Sequence, residues 1–209
     1  NNVIGTIALL DKLVELDIKT FVYSSSAATY GDPGLKLCKE DDWAKPINAY
    51  GSSKLMMEQI LKDYHRAYGM NSVGLRYFNA AGADPEAEIG ELRDRETHII
   101  PLAITAARQV KTFKLFGDKY NTEDGTCVRD YVHVMDLAEG HISSLEYLVK
   151  SKNKIIDLNI GTGEGTTVLE LVNIFERVNN IEIPIEFSSR RLGDCCSVIA
   201  DNTKALSCL

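Results

Sequence analysis

Two stretches, TFVYSSSAATYGD at residues 20–32 and NAYGSSKLMMEQ at 48–59, decide how this chain reads. The first begins as a strand. Thr20, Phe21, Val22 and Tyr23 are the β-branched and aromatic residues that suit a pleated, half-buried surface. It then runs into three serines, Ser24 to Ser26, and gives way to small residues and Gly31. The second stretch reads as a helix that sets Tyr50 four residues before Lys54. With 3.6 residues per turn, positions i and i+4 share a face, so phenol and ammonium approach each other. An ammonium stabilises a phenolate, and a phenol so tuned serves as a general base. Taken alone, such a pair also suits an ordinary surface helix whose lysine methylenes pack on the ring. The preceding strand favours chemistry. In open α/β sheets ligands sit beyond the carboxyl ends of the strands, where these serines lie.

Working outward, strand and helix keep alternating. Helix is expected over 3–16, 50–68, 98–109, 135–149 and 167–178. Strands are expected over 20–25, 72–78, 112–117, 129–134, 154–160 and 181–187. A loop covers 31–46, and a long polar loop rich in Gly, Asp and Glu covers 79–97. This order implies an α/β fold with a mainly parallel sheet. The turn GTGEGT at 161–166 follows a strand, precedes a helix and has an acid, Glu186, downstream. Its glycines are spaced GxGxG and not GxGxxG, so the third is misplaced for a dinucleotide loop. The reading preferred is a tight turn, followed by a T-x-x-E capping box of Thr167 and Glu170.

Bulk properties exclude several classes. Across 209 residues, 44% are hydrophobic, 25% are charged and the net charge is −7, which is ordinary globular composition. Without a Lys/Arg cluster, neither nucleic acid nor an anionic membrane surface finds an electrostatic footprint. The longest apolar runs, such as IIPLAITAA at 99–107, are too short to span a bilayer. The opening NNVIGTIALLDKLVEL reads as amphipathic helix and not as a leader. Cys38, Cys127, Cys195, Cys196 and Cys208 fall at irregular spacing with no zinc-type array, so no metal is expected. They read as reduced thiols of a cytoplasmic protein.

Six segments, all in chain order, carry a specific resemblance: SSSAATYGD, AYGSSKLMMEQIL, LRYFNAAGADP, FGDKYNTEDGTCVRDYVHVMDLAEGH, NIGTGEGTTVLELV and RRLGD. Together they resemble the UDP-glucose 4-epimerase family, of the extended short-chain dehydrogenase/reductase superfamily. The resemblance implies a partial Rossmann-like doubly wound parallel sheet with a smaller α/β substrate-binding domain. Residues 1–79 would be the C-terminal part of the NAD-binding domain. Residues 80–209 would be mainly substrate domain, with about 126–165 returning to the first. It further implies NAD as cofactor, a UDP-hexose as substrate and a homodimer whose interface includes the Tyr50 helix.

Carried over by position, Tyr50 and Lys54 match the family's catalytic tyrosine and lysine. Ser26 matches the serine that hydrogen-bonds the sugar. Asn1 and Phe78, with Ser26, Tyr50 and Lys54, match cofactor-lining residues. Asn79 and Phe116 match substrate contacts. Arg129, Arg191 and Asp194 match the residues that hold the diphosphate and the uridine ribose. Without the resemblance, Arg129 would read as a partner for Asp130 or Asp136, and Arg191 as a solvated loop charge.

Related dehydratases place an Asp–Glu pair after the strand-end serine or threonine, where this chain has Ala27–Ala28. Decarboxylating relatives are not separated by these motifs. Val198 stands where a larger residue in some members borders the sugar's 2-substituent, which implies room for UDP-N-acetylhexosamines. His98 stands where some members carry asparagine against the uridine diphosphate; the alternative is a helix cap or surface histidine. The family's first βαβ unit, with its phosphate loop, has no counterpart. By the size of a dinucleotide half-site, roughly 90 residues are expected to precede Asn1 in a longer parent. The alternative is a truncated sugar-nucleotide-binding module without NAD-dependent activity. A sheet without its first strands would leave an open edge.

Overall fold

The computed structural model describes residues 1–151 and 154–209. In chain order the elements are α1 (Asn2–Glu15), β1 (Thr20–Ser26), α2 (Ala49–Tyr68), β2 (Asn71–Tyr77), β3 (Asn79–Ala81), α3 (Ile99–Gln109), β4 (Phe113–Phe116), β5 (Val128–Arg129), β6 (Tyr131–His133), α4 (Val134–Lys150), β7 (Ile155–Ile160), β8 (Thr166–Thr167), α5 (Val168–Asn179), β9 (Ile185–Ser188), β10 (Ser197–Val198) and α6 (Thr203–Cys208).

The main sheet has the order β1-β2-β7, all parallel. Register runs from Thr20 opposite Asn71 to Ser26 opposite Tyr77, and from Ser72 opposite Ile155 to Tyr77 opposite Ile160. Successive strand side chains point to opposite faces. Tyr23 accordingly packs with Leu10 of α1, Met57 and Leu61 of α2, and Met70. Val22, Val73, Leu75 and Leu158 pack on the other face with Leu148 of α4 and Ala205 of α6. Both faces are covered by helices, which is the doubly wound arrangement the resemblance implied. β1 is the outer strand on its side among the described residues.

The rest of the chain is built from short pairs. β3 pairs with β6, β4 with β9, and β5 lies between β10 and β8. Among the described residues only the β5–β8 pairing is antiparallel. Helices α3 and α5 close a second core on β4 through Ala103, Ala106, Phe113, Val172 and Ile183. Among the described residues, no helix is long and apolar enough to cross a membrane.

Three sequence expectations are corrected. The loop expected over 79–97 opens with a strand, because Asn79–Ala81 pairs in register with Tyr131–His133. The single strand expected over 129–134 breaks at Asp130, whose buried carboxylate is drawn into the 161–163 turn. The strand expected over 181–187 starts late, at Ile185. Ile181 N–H still donates to Glu176 O (3.1 Å), Ile183 N–H donates to Glu176 Oε1 (2.6 Å), and Pro184 has no N–H to give. The capping box is present as expected: Thr167 accepts from Glu170 N–H while the Glu170 carboxylate accepts from Thr167 N–H.

Candidate functional site

Helix α2 starts where it does because the Asn48 side chain accepts from Gly51 N–H at 2.8 Å. Gly51 is required by close approach: a Cβ there would lie 2.3 Å from Ala28 O. The helix start is thereby pressed onto the loop that follows β1. That loop is a short 3₁₀ turn, Ala27–Thr29, capped by Ser26, whose Oγ accepts from Ala28 N–H at 3.2 Å. As an acceptor in that bond, the Ser26 hydroxyl keeps its own proton to donate.

Tyr50 and Lys54 come together as the spacing implied, with Lys54 Nζ 5.7 Å from the Tyr50 ring centroid. The ammonium also donates to Ser24 O at 2.7 Å. An ammonium has three N–H donors, and this bond uses one. Partial burial disfavours the charge and lowers the Lys54 pKa from the ordinary lysine value. Tyr50 itself is 53% exposed, so its phenol is open to a ligand. Behind it, Tyr77 OH lies 3.0 Å from Ser24 Oγ and 2.8 Å from His141 Nε2. Sequence reasoning missed Tyr77, since nothing marks it beside Phe78 in the RYFN segment.

A second group of charges forms where β5 meets β10. Arg191 Nε donates to Asp194 Oδ2 at 2.8 Å, and the Arg129 guanidinium lies 3.9 Å from Asp194 Oδ1. Phe116 lies under Arg191, with its ring centroid 4.9 Å from the guanidinium carbon. Arg129, Arg191, Asp194 and Phe116 are therefore brought together. The Asp130 partnership that sequence adjacency suggested for Arg129 is not what forms. Asp130 is fully buried and accepts from Thr162 N–H, Thr162 Oγ1, Gly163 N–H and Ala200 N–H instead.

A cavity of about 210 Å³ is lined by Ser26, Phe78, Asn79, Arg129, Cys195 and Val198 among others, while Tyr50, Lys54, Phe116, Arg191 and Asp194 are outside its lining. It joins the serine-bearing strand end to the arginine side. Asn1 lies apart from this cavity, in a recess it shares with Ser53. His98 takes the N-cap position of α3 without a side-chain capping bond, and its Nδ1 lies 2.7 Å from Glu91 Oε1. Glu91, Glu96 and His98 hold one ligand atom each within 4.8 Å of the others. Their carboxylates accept from Arg93 Nε and from the backbone N–H groups of Thr97 and His98, which makes the group a hydrogen-bonded turn. The GTGEGT turn is likewise committed internally. Asp130 takes its N–H groups, and a Cβ at Gly161 would lie 2.6 Å from Asp130 Oδ2. It is not a free anion cradle.

A doubly wound parallel sheet, a serine at the end of one strand and a Tyr-x-x-x-Lys helix beside it define the dehydrogenase-like nucleotide scaffold. The chain belongs to the NAD dependent epimerase/dehydratase family, whose model matches residues 1–161. It is 50% identical over 206 residues to a UDP-glucose 4-epimerase of Rhizobium leguminosarum bv. trifolii, covering 98% of this chain and 63% of that protein. A UDP-glucose 4-epimerase of Halalkalibacterium halodurans is 46% identical over 210 residues, again across 63% of its length. The chain thus spans a little under two thirds of these relatives. Among solved structures, UDP-glucose 4-epimerase from Brucella ovis in complex with NAD superposes with a TM-score of 0.93 at 42% identity, covering 100% of this chain and 64% of that one. UDP-glucose 4-epimerase from Bifidobacterium longum in complex with NAD⁺ and UDP gives 0.93 at 38% identity, covering 100% and 63%.

Proposed function

We propose that the full-length protein interconverts UDP-glucose and UDP-galactose by NAD-dependent oxidation and re-reduction at C4 of the sugar. The observation that carries this reading is the open Tyr50 phenol, one helical turn from the Lys54 ammonium, at the end of the strand that bears Ser26. Tyr50 accepts the proton of the 4-hydroxyl and later returns it. Lys54 stabilises the phenolate by its charge, and Ser26 orients the hydroxyl. NAD, when bound, would supply reversible hydride chemistry at C4; the configuration inverts because the 4-keto sugar turns over in the site and presents its opposite face before the hydride returns, with no net oxidation.

The donor set fits the nicotinamide end of that cofactor. Lys54 has N–H donors beyond the one given to Ser24, and Phe78 offers an apolar wall. Asn1 is a further cofactor contact in this reading. Arg129 and Arg191 suit the diphosphate through their forked donors, and Asp194 suits ribose hydroxyls. Asn79, Phe116 and His98 complete the substrate contacts. Ala27 and Ala28 offer no acid or base for eliminating water. The sheet segments, 1–79 and about 126–165, belong to the NAD-binding domain and the remainder to the substrate domain. The parent is a cytoplasmic homodimer.

One assay on the full-length protein tests this. Y50F lowers kcat by about 10²–10⁴-fold with the fold intact, the usual size for losing a general base. A Y50F protein as active as the parent refutes the reading. In the same assay UDP-GlcNAc is turned over, because Val198 leaves room at the cavity wall. Absence of that turnover removes the N-acetylhexosamine part alone.

A further inference from the structure

The five cysteines are free, yet the adjacent pair Cys195–Cys196 splits in its surroundings. Cys195 is buried at the cavity, while Cys196 is partly exposed. The Cys195 thiol donates to Gly31 O at 2.9 Å, across a gap of 164 residues in sequence. Burial pushes the Cys195 thiol above its usual pKa, which keeps the S–H donor in place at neutral pH. The carbonyl of the same residue accepts from Arg129 Nη1 at 3.1 Å.

Cys195 therefore holds both walls of the cavity at once. On one side is the turn after Ser26, where Gly31 is fixed so tightly that a Cβ would lie 1.9 Å from Lys45 O. On the other is the Arg129 guanidinium. Further along the same seam, Cys38 N–H donates to Ile199 O and Asp201 N–H to Cys38 O, each at 2.8 Å. The thiol bond is the stitch of this seam that borders the cavity.

We propose that Cys195 is a positioning residue for the nucleotide: its thiol ties the 193–198 segment, and through it the Arg129 guanidinium, to the Ser26–Gly31 wall. The inference rests on the UDP-sugar reading for its ligand. It is tested by UDP binding to the full-length holoenzyme in calorimetry, beside steady-state kinetics. C195V loses the donor and stays apolar, with one more heavy atom on Cβ. It weakens UDP binding and raises KM about three- to tenfold, the size of one neutral hydrogen bond. Its kcat changes less than its KM, because the thiol bonds to Gly31 and touches neither Tyr50 nor Lys54. C195S keeps a donor and stays within about twofold of the parent in all three quantities. C195V indistinguishable from the parent, or C195S impaired as much as C195V, overturns the assignment. A parent that binds no UDP sinks the substrate reading, whereas a parent that binds UDP with C195V unaffected sinks this inference alone.

Discussion

β1 and β2 run seven residues each and pair along their whole length, whereas β5, β8 and β10 are two residues each. A seven-residue parallel pair fixes its own register, since a slip of one residue would move every side chain to the opposite face, into the packing of the other helix layer. A two-residue pair has almost no ladder to do so. In that half, buried side chains take over the work of the backbone. Asp130 binds the 161–163 turn and Ala200, and Asn159 Nδ2 donates to Cys38 O and Asp201 O. The comparison separates two design problems. The sheet seats the helix that carries Tyr50 and Lys54, while the stitched half shapes a pocket wall from Arg129, Cys195 and Val198.

The sheet half has polar fastenings of its own, the strongest built on Arg76. Arg76 on β2 and Glu58 on α2 are 4% and 0% exposed and meet in a fork, at 2.9 and 2.8 Å. Burial works against the Arg76 charge, and Glu58 outweighs it, raising the guanidinium pKa further. Ser25 Oγ donates to Glu58 at 2.6 Å and Arg76 donates to Tyr30 OH at 2.9 Å, so the fork spans α2, β1 and β2. Breaking it leaves a buried charge without its partner. R76M is expected to cost about 3–5 kcal/mol of unfolding free energy in chemical denaturation, and adding E58L is expected to recover much of that. A loss no larger than that of a surface substitution would show that the ladder alone seats α2.

The matching test in the stitched half is D130N. Asn replaces one acceptor oxygen by a donor, so at least one of the four bonds to Asp130 is lost, and two when the amide nitrogen faces Gly163 and Ala200; the Thr162 hydroxyl can reverse and accept in the other orientation. Buried N–H groups left without partners make the expected cost about 2–4 kcal/mol, read by thermal or chemical unfolding. Amide exchange at Gly163 and Ala200 should quicken with it, while exchange in β1 and β2 follows only the global loss. A uniform change across both halves would break the distinction between them.

How much was legible follows the same division. The sheet announced itself through apolar strands and capped helices, and i,i+4 spacing placed Lys54 on Tyr50. Two-residue strands have no period to read, so β8 and β10 left no trace, and Asn79–Ala81 passed for loop. The alternative that set Arg129 against Asp130 or Asp136 rested on sequence nearness, which cannot show that the Asp130 carboxylate turns to fill a bend some 30 residues on. Cys195 carried no signal beyond being a thiol, since its partner Gly31 lies at the far end of the chain.

The smallest expected effect probes a single stitch by pH. Asp124 is partly buried, which raises its pKa. Hydrogen bonds from Thr167 Oγ1, Thr126 N–H and Thr126 Oγ1 outweigh that and hold it below the usual carboxylate value. The folded state therefore binds this proton less readily than the unfolded state. Stability from Asp124 is fully present above the unfolded carboxylate pKa of about 3.9 and is lost as pH falls through the lower folded value. D124N should be less stable than the parent by about 1 kcal/mol near neutral pH, the worth of one such bond. That difference should shrink as acid protonates Asp124 in the parent, because only the parent carries the titrating group. The Thr167 hydroxyl that donates to Asp124 also accepts from Glu170 N–H, so the stitch extends into the α5 cap. Urea unfolding of both proteins from neutral pH to below pH 4 measures it. A difference that stays constant across that range would show that these bonds hold the loop by geometry and not by charge.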